Sequence, residues 1–140
     1  MGWDYEAFTK ALKADIREHG KVTSGPMAGR PLMVLTTTGA KTGQARESVV
    51  TFTRDGDAYV VCGSNSGTPE DPFWFGNLVA NPTVTVEAEG RKVEARADVA
   101  QGADRDRLWE HHVAERPEFA DYPAKSGGRV MPMARLTPVD

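Results

Sequence analysis

A short basic segment, Thr36-Thr37-Thr38-Gly39-Ala40-Lys41-Thr42-Gly43-Gln44-Ala45-Arg46, sits between two strand-like runs, Leu32-Met33-Val34-Leu35 and Ser48 to Thr53. Its two glycines place a turn between neighbouring strands. Positive charge gathers at the same place. From His19 to Arg46 there is no Asp or Glu, but there are four cations: Lys21, Arg30, Lys41 and Arg46. With those four removed from the 17 Lys and Arg, the remaining 13 face 20 Asp and Glu. A turn that points backbone N–H groups and two cations at one place suits an anionic ligand. The plainer alternative is a basic, glycine-stabilised hairpin turn.

The whole chain carries a net charge of −3, which argues against a general nucleic-acid binder. Its 140 residues suit one domain, 1–140, large enough to need no covalent staples. The lone Cys62 excludes an internal disulfide and fits a reducing compartment, so a cytoplasmic setting is expected. His19, His111 and His112 lack partners at ligand spacing, so no metal is expected. No apolar run approaches the ~18–20 residues that span a bilayer, and Met1 to Tyr5 do not read as a signal peptide.

Tyr5, Phe8, Leu12 and Ile16 follow helical steps, which predicts a helix over Trp3–His19 that Gly20 stops. It packs on the rest of the fold or, through Lys10, Lys13 and Arg17, touches a membrane surface peripherally. Four acids in the segment weaken the second reading. Lys21 to Pro31 is loop. Strands are expected at Leu32–Thr38, Glu47–Arg54 and Ala58–Cys62, the last two joined by the hairpin signal Asp55-Gly56. Asp71-Pro72 reads as an N-cap and first helical position for a short helix that ends before Pro82. Val84–Ala88 and Lys92–Ala97 alternate as a hairpin, and Ala103–Glu115 is a second main helix. Phe119 to Gly128 is irregular. Arg129–Leu136 is a last strand, bulged or at an edge because of Pro132. About six short strands in sequential hairpins predict a mainly β (α+β) fold, a small antiparallel barrel with helices outside.

Three places could carry chemistry. The Gly39–Arg46 turn fails the P-loop pattern, since Ala40 precedes Lys41 and a strand follows. No G-x-G-x-x-G element supports a dinucleotide fold. Cys62-Gly63-Ser64-Asn65-Ser66-Gly67 ends a strand in a small, hydroxyl-rich loop that a flat ligand can approach. Phe73, Trp74 and Phe75 stand together on the short helix, and Trp74 and Asn77 share a face. Cys62 reads as core rather than nucleophile, and His111-His112 as a solvated helix face. No acid–base set stands out, so any reaction falls to a cofactor.

In this order and spacing, over residues 32–140, these motifs resemble the deazaflavin-dependent nitroreductase family. The matching residues are Thr37 to Arg46, Gly63-Ser64, Pro72 to Phe75, Asn77-Leu78 and Ala80 to Pro82. The resemblance implies a split β-barrel that binds coenzyme F420 and passes a hydride to a quinone, nitroaromatic or enone. It implies that Lys41, Thr42, Gly43 and Arg46 hold the cofactor's phosphate and glutamate tail. Val49, Cys62, Gly63 and Ser64 would line the deazaflavin ring, with Ser64 bonded to ring or acceptor. Phe73, Trp74 and Asn77 would close the pocket, and Thr51 and Tyr122 would meet the substrate. Some members carry lysine where this chain has Asn65, so either one cation of the tail clamp is missing here or Arg30 substitutes for it. Of the substrate-pocket tyrosines only Tyr122 keeps a phenol, which points to a planar acceptor other than a nitroimidazole. The alternatives are an FMN-dependent split-barrel oxidoreductase and a non-enzymatic binder of an anionic planar cofactor. The partner is a small-molecule electron acceptor, and the chain is a monomer or homodimer, cytoplasmic or peripheral to the inner membrane face.

Overall fold

The computed structural model describes residues 5–139. The expected helix start at Trp3 and the reading of the first four residues lie outside them. The elements are α1 (Tyr5–His19), β1 (Leu32–Thr38), β2 (Ala45–Asp55), β3 (Ala58–Cys62), α2 (Phe73–Ala80), β4 (Thr83–Ala88), β5 (Arg91–Val99), α3 (Gly102–Glu115), α4 (Tyr122–Lys125) and β6 (Met133–Pro138). A 3-10 turn at Asn65–Gly67 precedes α2, and another at Pro117–Phe119 precedes α4. All six strands pair antiparallel and close in the order β1-β2-β3-β6-β5-β4. The split-barrel expectation holds; β1 and β3 keep their expected bounds, and β2, β4 and β5 extend by one or two residues.

Period-two alternation explains the layering. On β1, Met33 and Leu35 point into the barrel, while Val34 meets Leu12 and Ile16 of α1 outside. On β3, Tyr59 and Val61 point in, while Val60 and Cys62 meet Leu108 and Phe119. Trp74, Phe75 and Leu78 of α2 join the interior cluster. Ion pairs fasten the outer helices. Arg17 on α1 donates to both Glu87 oxygens, at 2.9 Å each, and to Glu47 at 2.5 Å. Arg135 on β6 ties Asp104 of α3 to Asp55 at the β2–β3 turn. Among the described residues, no helix is long and apolar enough to cross a membrane, and no His, Cys, Asp and Glu cluster could hold a metal ion.

Four local expectations are corrected. The cap position of α2 is Pro72, not Asp71, whose carboxylate pairs with Arg129 instead. The last strand begins after Pro132 and pairs on both sides, with β3 and β5, so it is no edge. Phe119 to Gly128 holds the end of one 3-10 turn and the one-turn α4. His112 is fully buried rather than solvated, its Nδ1 lying 2.9 Å from Thr53 Oγ1 and its ring 4.5 Å from Phe119.

Candidate active site: a cleft on the barrel flank

A cleft of about 590 Å³ opens between α1, the outer side of β2, the loop after β3 and the segment Glu118–Tyr122. Of the residues anticipated from sequence, Val49, Thr51, Cys62, Ser64, Phe73, Trp74 and Tyr122 line it. Trp74 is buried, whereas Phe73 is 94% exposed at the mouth. Burial pushes the Cys62 thiol up to about 12. It stays neutral at physiological pH and serves as a small apolar wall. Gly63 sits just behind this lining. A Cβ there would lie 2.8 Å from Pro132 Cγ and 2.9 Å from Phe75 Cδ2. Gly63→Ala is therefore expected to cost about 1–3 kcal/mol by overpacking, read as a lowered denaturation midpoint. An unchanged midpoint would show that the contact is soft.

Lys41, Thr42, Gly43 and Arg46 are all exposed and do not line the cleft. Their turn adjoins it along β2, because Glu47, one residue after Arg46, is a lining residue. The backbone N–H groups of Gly39, Ala40, Gly43 and Gln44 are consumed by Gln44 O, Asn77 Oδ1, Gly39 O and Thr42 Oγ1. That leaves the N–H groups of Lys41 and Thr42, beside the Lys41 and Arg46 side chains, as the donors of this turn with no acceptor among the described residues. Gly43 is required for its φ of 71°, and Gly39 because a Cβ would meet Thr42 Oγ1 at 2.7 Å.

Asn77 also has a role that sequence spacing did not show. Its Oδ1 accepts from Ala40 N–H at 3.0 Å, and its Nδ2 donates to Thr37 Oγ1 at 3.2 Å. One turn on, Asn81 Nδ2 reaches Thr38 O at 3.4 Å. These two amides hook the basic turn onto α2. Asn77 is thus committed to the turn rather than paired with Trp74 at the cleft.

Both cations that line the cleft already face acids. Lys13 donates to Glu47 at 3.1 Å, and Arg30 lies 3.8 Å from Glu118. Lys41 and Arg46 have no ion-pair partner among the described residues. Sequence reasoning missed three further contributors: Thr9 and Lys13 of α1, which line the cleft, and Arg129, which grips the loop after β3. Lys13 shows in the sequence only as part of the polar side of the first helix, and nothing in the spacing of Thr9 or Arg129 marks them.

A closed antiparallel barrel with helices on its flanks and a ligand-sized side cleft defines the split-barrel class. A solved F420-H2 dependent reductase superposes with a TM-score of 0.70 at 31% identity, over 76% of this chain and 94% of that one. A chain described as a domain-swapped dimer gives 0.72 at 28% identity, over 95% and 99%. The family model for F420H(2)-dependent quinone reductase matches residues 9–138, and the chain belongs to that family. An F420H(2)-dependent quinone reductase of Mycobacterium tuberculosis is 43% identical over 112 residues, 76% of this chain and 73% of the relative.

Proposed function

We propose that this chain passes a hydride from reduced coenzyme F420 to a quinone or a similar planar, electron-poor acceptor. The family match over residues 9–138 carries the reading, and the cleft supports it. A volume of about 590 Å³ suits a flat ring system beside a small acceptor. At the adjoining turn, Lys41 and Arg46 are the cations left free for an anionic tail. Bound F420 supplies the hydride when reduced. The protein's part is orientation and exclusion of water. Val49, Cys62 and Trp74 give an apolar seat. Ser64, whose hydroxyl has no partner among the described residues, can donate one hydrogen bond to ring or acceptor. Thr51 and Tyr122, which line the cleft, are the candidate contacts for the acceptor, and exposed Phe73 is free to cover the bound rings.

The test is direct. Purified protein is titrated with reduced F420, then menadione is added, and cofactor oxidation is followed by absorbance. Saturable binding followed by menadione-dependent oxidation is expected, with FMN giving neither. Binding with no acceptor-dependent turnover would replace the reductase by a cofactor-binding module.

A further inference from the structure

We infer that Arg129 is a positioning residue for this reaction: its guanidinium holds the loop Gly63–Asp71 in the shape that presents Ser64 to the cleft. The inference rests on the reductase reading above. The guanidinium spends all five of its N–H donors on this one loop. Nη1 donates to Gly63 O at 3.0 Å and to the Asp71 carboxylate. Nη2 donates to Ser64 O at 2.7 Å and Thr68 O at 3.0 Å, and Nε donates to Thr68 O at 3.1 Å. The side chain is only 15% exposed. On its other side, Arg129 N–H donates to Ser126 Oγ at 3.1 Å, just past the end of α4. That helix begins at Tyr122, on the facing part of the cleft, and Arg129 therefore links two sides of the site.

The loop needs such a clamp. Asn65 and Ser66 take φ values of 48° and 55°, the left-handed region that non-glycine residues avoid. Such conformations persist where the surroundings over-determine them, and they cluster at functional sites. Ser64, Asn65 and Ser66 all line the cleft. Three carbonyl oxygens pinned by one planar fork set the direction of this segment. A lysine, with a single point charge and no planar fork, cannot reproduce that set.

Arg129→Ala and Arg129→Lys in the full chain test this. In protein without cofactor, amide exchange at Gly67 and Thr68 should rise about tenfold or more in both variants, because their bonds to Ser64 O and Asn65 O lose the clamp. Turnover with reduced F420 and menadione should fall about a hundredfold, as expected for reactants displaced by about an ångström. Affinity for reduced F420 should stay within about threefold, because Lys41 and Arg46 are untouched. Added guanidinium should restore part of the turnover of Arg129→Ala and none of that of Lys41→Ala. Wild-type turnover in the variants, unchanged exchange, or no guanidinium rescue would overturn the assignment. So would failure of both variants to fold, which would make Arg129 part of the scaffold alone. The reductase reading fails separately, if wild-type protein does not oxidise reduced F420. The exchange comparison needs no cofactor and still decides whether Arg129 holds the loop.

Discussion

Replacing Lys41 and Arg46 together by alanine should weaken binding of reduced F420 at least a hundredfold. Each charge-assisted contact is worth about 1.5–3 kcal/mol, so two of them supply about 3 kcal/mol or more. The single variants should lose about tenfold or somewhat more each, and neighbouring charges need not add. Wild-type affinity should fall with added salt, since both side chains are exposed in the free protein. The melting temperature should not move, because neither residue has an ion-pair partner among the described residues. Fluorescence titration of the cofactor at low and moderate salt reads all three. If the double variant binds like wild type, the tail is held elsewhere, and Lys13 and Arg30 become the next cations to examine.

That prediction uses a feature sequence reveals well, and its limits show where sequence stops. The continuous apolar run Leu32–Leu35 places β1 at Leu32–Thr38 without error, because both its faces are buried and its ends meet a proline and a glycine. Asp55-Gly56 likewise marks the β2–β3 turn, with Gly56 at a φ of 60°. What sequence leaves open is the partner of each polar group. Asp71 before a proline has the form of an N-cap, but Arg129 comes from 58 residues away to take its carboxylate. Asn77 stands at the right helical step from Trp74, yet its amide is spent on Ala40 and Thr37. A pattern of residue types shows which face a side chain shares. It does not show which distant donor or acceptor arrives there.

The same limit governs Pro132. A proline removes a ladder donor and so suggests an edge. Here it precedes the strand instead, and its carbonyl accepts from Gly63 N–H at 2.8 Å. Barrel closure, a long-range property, makes β6 an inner neighbour of β3 and β5.

His112 carries the second large effect, an acid-induced loss of stability that begins well above the range where carboxylates titrate. Burial lowers its pKa from 6.5 to about 4, with the neighbouring His111 and Arg116 acting in the same direction. The neutral ring suits its place. Nδ1 meets Thr53 Oγ1, while Nε2 is buried with no partner and would carry an unpaired N–H once protonated. The unfolded chain takes up the proton near pH 6.5 and the folded one near pH 4, so the stabilisation is complete above pH 6.5 and lost as pH falls toward 4. Each pH unit within that window removes about 1.4 kcal/mol, or about 2 kcal/mol by pH 5. Asp55, Asp104 and Glu47 are held below their usual values by hydrogen bonds from arginine. Their stabilisation is intact at pH 5 and fades only below about pH 4.5. Denaturant unfolding at pH 7 and pH 5 isolates the histidine. Wild type should lose about 2 kcal/mol between them, and His112→Leu should lose little. A wild type equally stable at both values, or a leucine variant with the same slope, would refute the assignment. Since Phe119 packs on His112 and lines the cleft, acid should loosen that side of the active site before it unfolds the barrel.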